Sequence, residues 1–366
     1  MKQVCRGIIF LILIAVFSVG LNQMTLNRKS EGCIQLSDFY QLPDHRVDVL
    51  CVGSSHVYYG INTCLLYETY GIASYLLASP GQPMWISYYL LEEALKTQSP
   101  QLVVFDIGTL FRKEEDFGAY SWETLISMKP SLSKWNAIQA VNEYQQCLDT
   151  VGAFFSFPYY HNRYATLTSQ DYQEEERVRY NGYKPEFTTI AQKELEKWED
   201  EISQEVWTEE GPSQVETETV TCLAQGPEET AVMTDAITER TEHYLRKFIQ
   251  LCQDREVKLL LVNSPFANQA DEKREAGRYI RMIADEYGVP LLEGNYLVDE
   301  MQIDFADDLL DASHLNYYGS VKYTDYLAQW MLENCSLADR RGDEAYSGWE
   351  QESALFWENY GEQLTG

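Results

Sequence analysis

The chain has 366 residues, 45% of them hydrophobic, and carries a formal net charge of −29. That apolar share supports a sizeable core and excludes global disorder. The acidity excludes nucleic acid as a partner, because binding a phosphate backbone needs a basic surface.

At the N-terminus, Lys2 and Arg6 precede an apolar run without charge from Gly7 to Leu21. Continued to Leu26, the uncharged stretch reaches the length of a membrane span. A terminal position with a basic lead predicts a signal anchor over residues 1–28, a single transmembrane helix with the remaining chain extracytoplasmic. Cleavage near Ser18 and Gly20 is the alternative. Residues 29–45 read as a linker.

From Val47 the chain alternates apolar runs with helical patterns. "VDVLCVG" reads as a first strand, "NTCLLYETYG" as a helix ending at Gly71, and "ASYLLAS" as a second strand. "PGQP" is a loop, "MWISYYLLEEALKTQ" a helix and "QLVVFDIG" a third strand. Residues of about 112–233 break the pattern with helical or irregular sequence, including an acidic stretch at about 199–232 with no Lys or Arg. "AITERTEHYLRKFIQLCQD" then reads as an amphipathic helix, "VKLLLVNSP" as a fourth strand, "DEKREAGRYIRMIADEYG" as a helix and "VPLLEG" as a fifth strand. A helix from about Tyr317 to Asn334 closes this part. Continuous apolar strands separated by helices indicate a parallel sheet covered on both faces. The prediction is α/β: a flavodoxin-like three-layer sandwich over residues 46–335, with a five-stranded parallel sheet and a largely helical insertion after the third strand. The tail, 336–366, is acidic and sets Trp349, Phe356 and Tyr360 on one helical face, which should pack on the body.

The eight cysteines show no metal-binding spacing, and no glycine-rich phosphate loop is present, so neither metal nor cofactor is expected. An extracytoplasmic disulfide is open, with no pair identifiable. Cys51 reads as a small buried strand residue.

Ligands of parallel α/β sheets bind at the carboxyl ends of the strands. Ser54 and Ser55 sit there, after strand one. A serine becomes a nucleophile only beside a base. Of the five histidines, His45 lies at the wrong end of the sheet. His56 adjoins Ser55, but neighbouring side chains diverge if the segment is extended. His161 is in the insertion and His243 is on the polar side of a helix. His314, in "LLDASHLNYYGS", remains, with Asp311 three residues before it. A carboxylate there can orient one ring nitrogen and leave the other for a serine hydroxyl. The same segment also reads as a helix N-cap, with Asp311 or Ser313 capping and His314 a bystander.

Together the two segments resemble the SGNH, or GDSL-like, hydrolases over about Val47 to Asn334, the insertion excepted. "CVGSSH" is similar to that family's first block, which makes Ser55 the nucleophile and puts Ser54 in the usual aspartate position. "DASH" is similar to the last block, which gives Asp311 and His314. Gly81 in "SPGQP" falls where the second-block glycine contributes an amide to the oxyanion hole, beside the amide of Ser55. The third block departs: Leu110 of "DIGTLF" stands where the family has asparagine. Asn263 is a substitute donor or a turn cap. "GSSH" and "HLNYYG" behind an anchor also resemble extracytoplasmic proteins of cell-surface polymer acylation, such as the teichoic acid D-alanyl transfer protein and the alginate O-acetylation proteins. The resemblance implies an esterase or O-acyltransferase working through acyl-serine on a cell-envelope polysaccharide or teichoic acid, with a membrane-bound O-acyltransferase as partner. A non-catalytic polymer-binding partner of such an enzyme is the alternative. In the insertion, "FFSFPYYHNRYATL" and "VRYNGYKPEF" mix aromatics with His161, Arg163, Arg179 and Lys184. They read either as a substrate-binding wall, with His161 and Arg163 foremost, or as an aromatic mini-core.

Overall fold

The computed structural model describes residues 2–25, 31–112, 120–145, 150–155, 165, 167–168, 180–198, 236–268 and 271–365. His161, Arg163, Arg179 and the acidic stretch at 199–232 lie outside them.

Five strands form one parallel sheet: β1 (Val49–Gly53), β2 (Ser74–Ala78), β3 (Leu102–Asp106), β4 (Lys258–Asn263) and β5 (Leu291–Glu293). Their order is β2-β1-β3-β4-β5, the flavodoxin-like order expected. Because side chains alternate across a strand, each one feeds two cores. Leu50, Val52, Val103, Phe105, Leu259 and Leu261 enter one core. Val49, Cys51, Leu102, Val104, Leu260 and Val262 enter the other. Burial on both faces explains why these strands are continuous apolar runs. The chain leaves β3 before the 112–233 segment and returns to β4, which pairs directly with β3.

The helices that cover the sheet divide the same way. On the first face lie α2 (Glu31–Phe39), α5 (Met84–Ala94), α7 (Leu132–Gln145), α9 (Glu239–Asp254) and α10 (Asp271–Tyr287). The buried stripe of α9, comprising Tyr244, Leu245, Phe248, Ile249 and Cys252, has helical spacing. Two further helices of the segment after β3, α6 (Tyr120–Ser127) and α8 (Thr150–Phe155), supply Leu125 and Ala153 to this core. On the second face lie α3 (Ser55–Gly60), α4 (Thr63–Tyr70) and α11 (Tyr317–Asn334). The last helix, α12 (Ser347–Thr365), lies against α4. It buries Trp349 and Phe356, and the Trp349 indole N–H donates to the Ser74 carbonyl at 2.8 Å. Helix α4 closes as expected at Gly71, whose φ of +69° is the left-handed region glycine enters without strain.

The N-terminal segment is one helix, α1 (Lys2–Thr25), with Ile8, Ile9, Phe10, Ile12, Leu13, Ile14, Val16 and Phe17 exposed. Among the described residues, no helix is long and apolar enough to cross a membrane. The expected transmembrane helix is therefore not supported. The continuous apolar run from Gly7 to Leu21 rises about 22 Å as a helix, short of a hydrocarbon core of about 30 Å. Beyond it, Asn22, Gln23 and Thr25 are polar. Cys5, Cys51, Cys64, Cys252 and Cys335 are free, and Cys51 is fully buried.

Candidate active site

Strand β1 delivers Ser54 and Ser55 to the carboxyl edge of the sheet. The turn there is tight: a Cβ on Gly53 would stand 2.6 Å from Val57 Cγ2 and 3.2 Å from Asp106 Cβ. Helix α3 then begins at Ser55, with Ser54 as its buried N-cap residue making no side-chain cap bond. This corrects the extended reading of the segment, and with it the reason for setting His56 aside.

Past β5 the chain forms a two-stranded antiparallel hairpin, β6 (Leu309–Asp311) with β7 (His314–Leu315). Asp311 Oδ1 accepts the backbone N–H groups of Ser313 and His314 at 2.8 and 3.0 Å. These bonds fold the tight turn that brings the two side chains together. The Ala312 carbonyl accepts from the amides of Ala267 and Asn268, tying the hairpin to the loop after β4. The capping role read for Asp311 or Ser313 belongs to Asn316, whose side chain accepts from Gly319 N–H at 3.1 Å to start α11. That leaves the Asp311 carboxylate for His314.

The three groups meet in a chain. Ser55 Oγ lies 2.8 Å from His314 Nε2 across 259 positions of sequence. His314 Nδ1 lies 2.9 Å from both carboxylate oxygens of Asp311. Nδ1–H therefore donates to Asp311, and bare Nε2 accepts the Ser55 hydroxyl, the arrangement that lets an imidazole take a serine proton. Burial raises the Asp311 pKa, but the hydrogen bond and charge of His314, with the amides of Ser313 and His314, more than offset it and hold the carboxyl below its ordinary value. All three side chains stay partly exposed, so a ligand can reach them.

A second polar chain stands beside the first and was not foreseen. His56 Nδ1 is 3.1 Å from Ser264 Oγ and 3.9 Å from Asp106 Oδ1. Asp106 ends β3 and accepts from Gly108 N–H at 2.9 Å and Ser264 N–H at 3.2 Å. Burial pushes the Asp106 carboxyl up to about 6, against the lowering effect of those bonds. Burial, then the nearby His314, Lys273 and Arg112, holds His56 well below the ordinary histidine range, so it is neutral at pH 7. The ring packs edge-on to His314, with centroids 5.2 Å apart, and to Phe266 at 6.0 Å. A Cβ at Gly108 would approach His56 Nδ1 to 2.9 Å, so glycine there makes room for the ring. The signal available in the sequence was position: Asp106 ends one strand and Ser264 follows the next.

Around these chains, Tyr59 lies 5.3 Å from the His314 ring, centroid to centroid. Lys184 Nζ is 3.2 Å from the Tyr59 hydroxyl. Lys184 is thus one basic residue of the insertion that reaches the site.

The remaining expected site residues are placed as follows. Gly81 lies buried in the loop after β2, the strand beside β1, with φ +54°. Leu110 sits in a 3₁₀ turn after β3 and is 1% exposed within the core, so it offers the site no donor. Asn263, at the end of β4, is buried, and among the described residues its Oδ1 has no hydrogen-bond partner and no hydrogen bond joins its side chain to Ser55 or His314. No group of His, Cys, Asp and Glu among the described residues is arranged to hold a metal ion.

No protein-family model matches the chain, and no curated protein does. Among solved structures, a Bacteroides fragilis protein whose name proposes it as an acylhydrolase is similar at a TM-score of 0.36 and 11% identity, covering 81% of this chain and 94% of that one.

Proposed function

We propose that this protein is a serine esterase or O-acyltransferase working through an acyl-serine intermediate. The observation that carries the reading is the unbroken Ser55–His314–Asp311 hydrogen-bond chain at the carboxyl edge of the sheet. Ser55 Oγ attacks the acyl carbonyl and its proton passes to His314 Nε2. Asp311 keeps the ring oriented and stabilises the imidazolium. The amides of Ser55, at the first position of α3, and of Gly81 are the proposed donors to the oxyanion. Protonated His314 then returns its proton to the leaving group. In the second half, an incoming hydroxyl gives its proton to His314 and attacks the acyl-serine; the bond from the acyl carbon to Ser55 Oγ breaks, and His314 returns the proton to Oγ.

The resemblance of "CVGSSH" and "DASH" to the SGNH blocks supports the serine mechanism. The further likeness to polymer-acylation proteins supports an extracytoplasmic substrate, an acylated cell-envelope polysaccharide or teichoic acid, and a membrane-bound O-acyltransferase as acyl source. The basic lead and exposed apolar side chains of α1 support attachment to a membrane. Leu110, which offers no third oxyanion donor, favours the second reading, a polymer-binding partner without chemistry. Loss of one such donor costs about a hundredfold in rate or more. A fluorophosphonate probe separates the two: the purified chain should be labelled, and Ser55→Ala should abolish labelling. A folded wild-type chain that takes no label supports the binding module instead.

A further inference from the structure

Asp106, Ser264 and His56 take no part in the acyl-serine steps, yet they fix one hydrogen. The Ser264 hydroxyl has a single hydrogen and, among the described residues, two hydrogen-bond neighbours, Asp106 Oδ2 at 3.5 Å and His56 Nδ1 at 3.1 Å. At neutral pH Asp106 is a buried carboxylate that needs donors. With the hydroxyl hydrogen on Asp106, the Ser264 oxygen accepts from His56 Nδ1–H, and every polar hydrogen has an acceptor. The reverse arrangement takes a donor from a buried carboxylate and sets an Nδ1 lone pair 3.9 Å from Asp106 Oδ1. His56 therefore carries its hydrogen on Nδ1 and leaves Nε2 bare. Nε2 accepts no hydrogen bond among the described residues, and the side chain keeps 14% exposure.

The site thus presents two bare Nε2 atoms on imidazoles that lie edge-on, with centroids 5.2 Å apart. Once Ser55 is acylated, its hydroxyl no longer donates to His314. A simple alcohol has one hydroxyl hydrogen and satisfies one of the two acceptors. A compound with hydroxyls on adjacent carbons, as polyols and sugars have, can satisfy both. Resting on the acyl-serine reading, we propose that His56 is an acceptor-binding residue: Nε2 holds one hydroxyl of a vicinal diol while the neighbouring hydroxyl attacks the acyl-Ser55 ester. The attacking oxygen forms the new bond to the acyl carbon and its proton passes to His314 Nε2. The bond from that carbon to Ser55 Oγ breaks, and the proton returns to Oγ. His56 gains and loses no proton. It selects a diol over a simple alcohol as the acceptor.

The test is product partitioning by the full chain in detergent, with p-nitrophenyl acetate as donor and equal concentrations of propane-1,2-diol and propan-1-ol as acceptors. The wild type should acylate the diol about tenfold faster, the scale of one hydrogen bond. His56→Phe should bring that ratio close to one. His56→Asn, polar but too short to reach, should do the same and covers the case in which the phenyl ring does not fold. A wild-type ratio near one with Ser55 labelled, or an unchanged ratio in a folded His56 variant, overturns the role of His56 and leaves the serine mechanism standing. A wild type in which Ser55 takes no fluorophosphonate brings down both.

Discussion

Asp311 and Asp106 are carboxylates near the same histidines, yet their surroundings move them in opposite directions. Asp311 is oriented for His314 by two backbone amides of its own turn. In Asp311→Asn the amide still fits the turn but stabilises an imidazolium far less and favours the wrong tautomer. Ester hydrolysis should fall about 10²–10⁴-fold in kcat, with the fold intact by circular dichroism; wild-type turnover in that variant would remove Asp311 from the mechanism. Asp106 is buried and its pKa is raised to about 6. Its protonated form is thus favoured in the fold, and between its unfolded value of about 4 and pH 6 the native state binds more protons. Stability should therefore rise as pH falls from about 7 to about 4, by about 1–3 kcal/mol from this group. General relief of negative charge acts in the same direction, so the comparison is with Asp106→Asn. Urea titrations at pH 7 and pH 5 should show a smaller gain in the variant, and equal gains would sink the assignment.

Secondary-structure elements, more than single contacts, hold the site in place, and α12 is a clear case. Trp349 is 3% exposed and enters the core formed with α5 and α9, while Phe356 is 2% exposed and enters the core on the other face, against Tyr180, Tyr183 and Tyr317. Trp349→Ala removes a large buried ring and leaves the Ser74 carbonyl without its indole donor. It should cost about 3–5 kcal/mol in denaturant unfolding; a loss below 1 kcal/mol would mean that α12 is only loosely attached. The tail face was legible because Trp349, Phe356 and Tyr360 recur at helical spacing. The strands were legible because burial on both faces leaves continuous apolar runs such as Val103–Phe105. Helix α3 was not legible. It is 6 residues long and Ser54 makes no cap bond, so no local signal marks its start. Its helicity is set by the tight turn at Gly53 and by packing against α11, and this decides where His56 points. The "DASH" turn was legible because its geometry is local: one carboxylate closes the turn and meets the ring three residues on.

At the scale of the whole molecule, a charge of −29 sets up self-repulsion that screening relieves. Ion pairs such as Arg340–Asp48, at 2.7 Å with Asp48 8% exposed, are shielded from salt and should change little. Raising sodium chloride from about 20 to about 500 mM should therefore raise Tm by about 2–5 °C, and a fall would show that attractive surface pairs dominate instead. The separation of Ser55 from His314 has a temporal consequence. One belongs to the first strand's turn and the other to a hairpin formed 259 positions later. Closing so long a loop is slow, and its entropy is lost before the contact returns anything. During synthesis the serine emerges long before its base, and it stays chemically inert until β5 has joined the sheet and the hairpin has docked. Nucleophilicity at Ser55 is therefore a late event in the life of the chain, and the appearance of label on that residue would time the completion of folding.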